Sequence, residues 1–165
     1  MEEMFRRWGF TLVEYLVIVG LIGLMSGLAY PTYSRWLRQS TTRQTAEQLA
    51  DLIRTAQERS VGEQLIYGVL ITADVNQASL ISYGDSFQPN LTYTVVDRRI
   101  FSDQTELLDV GLVDSSSGAN IIRFTASGAP STTGSVRVTH TTNTTTDWQV
   151  TVQPSGATKV TSLDD

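Results

Sequence analysis

The sequence predicts an α+β protein in which a long N-terminal helix packs on a C-terminal antiparallel β-sheet head. Three observations predict this class: an apolar run from Phe10 to Tyr30, an amphipathic segment after it, and then short runs rich in Val, Ile, Thr and Tyr separated by turn residues. A sheet of that kind is apolar on one face and needs a second layer to cover it. The helix is expected to supply that layer.

The apolar run has the length of a membrane span. Its 21 residues carry a single charge, Glu14, and at about 1.5 Å each they extend about 30 Å, the thickness of a hydrocarbon core. Arg6 and Arg7 precede the run, which predicts a cytoplasmic N-terminus and a head on the other side of the cytoplasmic membrane. A cleavable secretory signal would end in small residues, for which Ser26–Ala29 is a weak match. A plain signal anchor stays open as an alternative.

Glu14 is the first candidate functional residue. A carboxylate at the centre of a bilayer costs about 2.5 to 3.5 kcal/mol on insertion scales, so a partner must compensate it. Because Glu14 lies only a few residues into the run, a side chain that reaches back to the membrane surface is the alternative. An ionisable group at this place is a functional hypothesis in either case.

Glycine and proline shape the second part of the run. Gly23 and Gly27 have the small-xxx-small spacing that lets helices approach closely in lipid, although glycines such as Gly20 are also common in membrane helices. Pro31 lacks a backbone donor, so we expect a kink or break near Gly27–Pro31.

The helix is expected to resume after Pro31 as an amphipathic segment. One apolar stripe follows the spacing of a helix face: Ala46, Leu49, Ala50, Ile53, and Ala56 or Gln57. Val61-Gly62 is the expected end. The predicted organisation is a membrane-spanning or filament-core helix over 10–33, the amphipathic half over 34–62, and a β-rich head over 63–165.

Eight strands are predicted in the head from β-branched residues and turn signals. They are Leu65–Thr72, Ala78–Tyr83, Leu91–Val96, Leu107–Leu112, Asn120–Phe124, Ser135–His140, Trp148–Val152 and Thr158–Val160.

The N-terminal residues resemble one known family. Gly9 and Phe10, the Thr-Leu-Val stretch after them, Glu14 and the apolar helix interrupted by Pro31 together resemble the type IV pilin-like proteins, which include the pseudopilins of type II secretion and DNA-uptake machines. The resemblance implies that residues 1–9 are a leader, and that a prepilin peptidase cuts between Gly9 and Phe10 and methylates Phe10.

The same resemblance implies an assembly role. Glu14 would neutralise the new amino group of a neighbouring subunit and set axial register, while Gly23, Gly27 and Pro31 would shape helix packing. The implied partners are the prepilin peptidase and methylase, other pilin or pseudopilin subunits, an inner-membrane assembly platform and membrane lipid. The implied location is the cytoplasmic membrane and then a pilus or pseudopilus.

A second resemblance concerns the head. The tract Ile121–Gly128, the strand after Gly134 and the hairpin around Ser155-Gly156 resemble the GspH/FimT-type minor pseudopilins, and the stripe from Ala46 to Gln57 adds to it. Subunits of that type are present in few copies near a filament tip. The resemblance implies a structural minor subunit that needs no cofactor.

An enzyme is not expected. The chain has no cysteine and one histidine, His140, which we interpret as a solvated residue in a loop or at a strand end. The sequence has no phosphate-binding loop, nucleophile elbow or metal-ligand spacing.

Two further functions stay open. Some FimT-type proteins capture DNA, but the net charge of −5 disfavours phosphate binding, and the one basic doublet of the head, Arg98-Arg99, is interpreted as a solvated turn. Nucleic acid is therefore not an expected partner. The other alternative is a membrane-anchored binding head outside any filament, which would need neither Gly9 nor Glu14.

Overall fold

The structure is a computed structural model that describes residues 11–84, 92–112, 119–142 and 147–163. The chain forms two compact units, one ending at Leu37 and one beginning at Arg38. Helix α1, Leu12–Glu63, contributes to both units and remains helical through Pro31. The chain is therefore not broken at this proline, while a kink there stays a prediction.

The predicted apolar stripe of α1 is the part of the helix that the head buries. Ala46, Leu49, Ala50, Ile53 and Ala56 have no exposed surface. Leu52 is equally buried although it lies beside the stripe. One continuous core joins these residues to side chains from both sheets described below, so the buried arc of the helix is wider than a single stripe.

Within the described residues, eight strands follow the helix and form two four-stranded antiparallel sheets. The first sheet has the order β3-β2-β1-β5 and the second the order β4-β6-β7-β8. The strands are β1 Ile66–Thr72, β2 Gln77–Gly84, β3 Thr94–Ile100, β4 Thr105–Leu108, β5 Ile121–Phe124, β6 Gly134–His140, β7 Trp148–Val152 and β8 Thr158–Ser162.

Two strands lie several residues from their predicted positions. β3 begins at Thr94 and continues to Ile100, because residues 97–100 complete its pairing with β2. β4 ends at Leu108, since Asp109 has a φ of 46°, a left-handed conformation that takes the chain out of the sheet. The predicted strand Leu107–Leu112 therefore overlaps β4 by only two residues.

The edge strand β3 carries a bulge. Leu80 pairs with Asp97 and Ile81 pairs with Val95, which leaves Val96 as an extra residue without a partner on β2. Three charged residues, Asp97, Arg98 and Arg99, follow the bulge directly. Most of β3 is exposed on both faces.

Gln57 of α1 joins the helix to two turns. Its Nε2 donates a hydrogen bond to the carbonyl oxygen of Gly128, 3.0 Å away. The turn at Gly156, in the β7–β8 hairpin, lies against the same amide group. Gly128 and Gly156 have φ values of 80° and 83°, so both turns use the left-handed conformation that glycine adopts without strain.

A buried polar junction connects α1 to β4. The hydroxyl oxygens of Thr45 and Thr105 lie 3.3 Å apart, and both residues are buried. Asn76, with a φ of 47°, donates from Nδ2 to the carbonyl oxygens of Ser102 and Thr105 at 2.8 and 2.7 Å. These bonds fix the chain between β3 and β4 on the helix.

Candidate functional site

The candidate site is the exposed surface of the first unit, and it begins at the helix N-terminus. The backbone N–H of Glu14 donates to the hydroxyl oxygen of Thr11, 3.3 Å away, and the N–H of Tyr15 donates to the Thr11 carbonyl oxygen at 3.2 Å. Thr11 thus caps the helix. The Glu14 side chain is exposed and lies in the first turn, where a negative charge interacts favourably with the helix dipole.

Gly23, Gly27 and Pro31 share one side of the helix, and Glu14 lies on another. At about 100° per residue, the first three fall within an arc of about 80°, whereas Glu14 is about 180° from Gly23. Apart from the adjacent residues and backbone of the helix itself, a Cβ at Gly23 or Gly27 would meet no atom of the described chain within 4 Å. The described part of the chain therefore gives no packing reason for these two glycines.

The apolar side chains around them are also exposed in the described part of the chain. Leu12, Leu16, Leu24 and Met25 are among the most exposed large apolar residues in the described chain. By length and composition, this part of α1 could cross a membrane, and none of its apolar stretch is buried. Apolar surface on this scale calls for lipid or other protein subunits as its environment.

Gly9 and Phe10 lie outside the described residues. The structure therefore describes only four of the six predicted site residues. The structure places Glu14, Gly23, Gly27 and Pro31 on one exposed helix but brings only the last three together on one side.

Thr11 belongs to the Thr-Leu-Val stretch of the family motif, but its role as the helix cap was not predicted. The signal is present in the sequence, because Thr11-x-x-Glu14 has the spacing of a capping box at the start of an apolar helix.

The basic doublet of the head is on a strand and is partly neutralised. Arg98 and Arg99 belong to β3, so their interpretation as a turn is wrong. Arg99 lies 3.6 Å from a carboxylate oxygen of Asp51 and 3.7 Å from one of Asp97. A guanidinium between two carboxylates has little positive field left to attract phosphate.

His140 is buried, which contradicts its interpretation as solvated. It ends β6, is 5% exposed, and its Nδ1 lies 2.8 Å from the hydroxyl of Thr142. Burial lowers the pKa of His140, and the nearby positive charge of Arg38 lowers it further. The threonine-rich sequence around His140 does not indicate this burial. The burial results from the pairing of β4 with β6.

A shallow cavity of about 460 Å³ lies between the short 3-10 helix Ala73–Val75 and β4. Its lining includes three carboxylates, Asp74, Asp103 and Glu106. Among the described residues, no group of three or more His, Cys, Asp or Glu side chains could hold a metal ion. The acidic lining repels phosphate and other anions.

The second half of α1 and most of the head match a known protein family. The profile of the family described as "Type II transport protein GspH" matches residues 45–156, which is more than half of the chain. The chain belongs to the GspH family. No curated protein is similar enough in sequence to match it.

Solved structures that share the fold of this GspH-family chain at low identity include a pseudopilin and a pilin. The minor pseudopilin EpsH from the type 2 secretion system of Vibrio cholerae has a TM-score of 0.58 and 14% identity, over 76% of this chain and 99% of that one. The type IV minor pilin FimU from Pseudomonas aeruginosa has a TM-score of 0.57 and 12% identity, over 79% of this chain and 98% of that one.

Family and fold together confirm the resemblance to GspH/FimT-type pseudopilins. The GspH-family chain is a pilin or pseudopilin subunit, and its family is one of structural proteins rather than of known enzymes. Such a subunit assembles with other pilin subunits, and its apolar N-terminal helix has the length and composition of a membrane anchor.

Proposed function

We propose that this chain is a minor subunit of a type IV pilus or of a type II secretion pseudopilus, processed between Gly9 and Phe10 and assembled by packing of α1. The observation that carries the proposal is an apolar helix that the subunit leaves uncovered and that begins with the exposed carboxylate of Glu14. A prepilin peptidase and methylase would remove residues 1–9 and methylate Phe10.

Glu14 is proposed to set the register between subunits. Cleavage creates a positively charged amine at Phe10, and Glu14 of a neighbouring subunit would neutralise it. Two charges that are paired and hydrogen-bonded are tolerated in a low-dielectric environment where either alone is not. Because Glu14 already lies in the first turn of its own helix, its charge is stabilised by the helix N-terminus until a partner arrives.

Packing is proposed to use the other side of the helix. Gly23 and Gly27 offer a surface without side chains, along which a second helix can approach closely. Glu14 and the glycines lie about 180° apart, so one subunit can contact neighbours on two sides. Contacts on two opposite sides extend an array, whereas contacts on one side would stop at a dimer.

The proposed topology has the N-terminus in the cytoplasm and the head outside the cytoplasmic membrane. Arg6 and Arg7 support it through the excess of positive charge on the cytoplasmic side. An inner-membrane assembly platform would then extract the subunit from lipid into the filament. The leader, helix and head would correspond to residues 1–9, 10–62 and 63–165.

The first test is the mass of the membrane-extracted chain and of its N-terminal peptide, with and without a prepilin peptidase. A mature chain that begins at methylated Phe10 is expected only when the peptidase is present. A chain that keeps residues 1–9, or that is cut near Ala29, would contradict the proposal and leave an ordinary anchor or a secreted head.

The second test concerns Glu14. Glu14→Ala should leave the processed subunit in the membrane but reduce its recovery in sheared filaments, because the neighbouring amine loses its counter-charge. Glu14→Asp, which keeps the charge on a shorter side chain, should restore part of the recovery. Normal recovery of Glu14→Ala would refute the register role without affecting the processing site.

A further inference from the structure

The side chains of α1 change character where the apolar run ends. Tyr30, Tyr33 and Trp36 are 74%, 59% and 61% exposed, and we call these three residues the aromatic collar. The rings of Tyr33 and Trp36 are neighbours, with centroids 6.2 Å apart. Arg35 is exposed between them in sequence. Each of these side chains combines an apolar body with a polar or charged tip.

The collar is slightly longer than the headgroup region on one side of a bilayer is thick. Its residues are three apart, so they follow one side of the helix and extend about 9 Å along its axis. The headgroup region on one side of a bilayer is about 5 to 8 Å thick. Tyr30 follows Leu12 by 18 residues, a rise of about 27 Å, which approaches the thickness of a hydrocarbon core.

Pro31 supplies an independent reason to place this part of the helix at the membrane surface. Because Pro31 has no N–H, the carbonyl oxygen of Gly27 loses its helical donor. A backbone group without a partner is strongly disfavoured in hydrocarbon but is satisfied by water in the headgroup region. One turn later, the hydroxyl of Ser34 donates to the Pro31 carbonyl oxygen at 3.0 Å.

We propose that the aromatic collar and Arg35 bind the lipid headgroup region on the side where the helix leaves the membrane, and that they fix the depth of the unassembled subunit. This inference rests on the membrane span proposed above. The tyrosine and tryptophan tips donate hydrogen bonds to headgroup oxygens while their rings lie against the upper acyl chains. Arg35 pairs with lipid phosphate.

Tryptophan fluorescence tests the placement directly. The chain has three tryptophans, so Trp8→Phe with Trp148→Phe leaves Trp36 as the only emitter in the full chain. A matched variant, Trp8→Phe, Trp36→Phe, Trp148→Phe with Leu21→Trp, has its emitter in the middle of the apolar run. Both are placed in phosphatidylcholine vesicles that carry bromine either near the headgroup or near the end of the acyl chain.

Trp36 should lose more fluorescence to the shallow bromines, and Trp at position 21 more to the deep ones. If Trp36 is quenched by neither, or more by the deep bromines, while position 21 is quenched by the deep ones, the collar inference is wrong and the span remains. Collar aromatics that instead contact a neighbouring subunit would give that first result. If position 21 escapes the deep bromines, the span itself fails.

The role in depth needs a second comparison. In the Leu21→Trp chain, where residue 36 is already Phe, Tyr30→Ser and Tyr33→Ser should shift the ratio of deep to shallow quenching, because the anchors are then lost. The control is Tyr15→Ser, which removes an exposed tyrosine from the other end of the run. An unchanged ratio in the double variant, or an equal shift in the control, would refute the depth role.

Discussion

At the scale of single residues, His140 makes the stability of the head depend on pH. Its pKa is lowered in the folded chain by burial and by Arg38, whereas in the unfolded chain it is near the ordinary value of about 6.5. The unfolded chain therefore binds more protons than the folded one just below that value, and the free energy of unfolding falls as pH is lowered through this window.

The prediction is a pH-dependent loss of stability that His140→Gln reduces. Urea unfolding of the wild type at about pH 7.5 and about pH 5.5 should show a lower free energy of unfolding at the acidic pH. In the variant the difference between the two pH values should be smaller, since glutamine does not titrate. Equal differences in the two proteins would show that carboxylates, and not His140, cause the loss.

Gly156 is a residue whose missing side chain is required. Its φ of 83° is left-handed, and a Cβ there would collide with the Gln57 amide. Gly156→Ala should lower the free energy of unfolding by about 1 to 3 kcal/mol. Gly62→Ala is the matched control, because it lies in α1 in open space and should leave stability unchanged or raise it by up to about 1 kcal/mol. Similar losses in both variants would contradict the role of the turn.

At the scale of elements, the two halves of α1 differ in burial. Leu49 is fully buried in the head and Ile22 is 58% exposed in the first unit. Leu49→Ala should destabilise the head by about 2 to 5 kcal/mol in thermal or urea unfolding. Ile22→Ala should leave head unfolding unchanged. A comparable effect of Ile22→Ala would mean that the apolar run supports the fold of the head.

The glycine side of α1 yields a prediction about association. Gly27→Leu adds a side chain where the subunit has open space, so head unfolding should not change, but helix–helix association in lipid should weaken because close approach is blocked. Energy transfer between labelled chains in vesicles measures this association. Ala29→Leu makes a similar change in volume on a different side of the helix and should have a smaller effect. Equal effects would remove the reason for the glycine spacing.

Some of the elements could be predicted from periodic sequence patterns, and others could not. The stripe from Ala46 to Ala56 and the strand Trp148–Val152 were predicted where they occur, because each repeats a simple period over several residues. The division into two sheets was not predicted. It depends on long-range pairing, such as β1 with β5, and on local conformations such as that of Asp109, which no period encodes.

The candidate site, too, was predictable only where a local sequence pattern marks it. Glu14 and the glycine spacing are visible because they depart from an apolar background, and their exposure follows from the length of that background. The hydrogen bond from Gln57 to Gly128 could not be predicted from the sequence, since the two residues are 71 positions apart. The burial of His140 was missed for the same reason.

At the scale of the whole molecule, the net charge disfavours the alternative of a DNA-binding pilin. The chain carries a net charge of −5, and Arg99 is held between Asp51 and Asp97. We expect no salt-sensitive shift of duplex DNA in a gel with the intact chain in detergent. A shift that disappears in Arg98→Ala with Arg99→Ala would overturn this expectation.

The bulge at Val96 affects the tendency of the head to aggregate at high protein concentration. Open sheet edges invite strands of other chains and lead to aggregates, and natural proteins protect them with bulges and charged residues. β3 has both, in the extra residue Val96 and in the charges from Asp97 to Arg99. Where copies of this chain meet at high concentration, a bulged and charged edge disfavours the addition of a strand from another head, so contacts between subunits are directed away from β3.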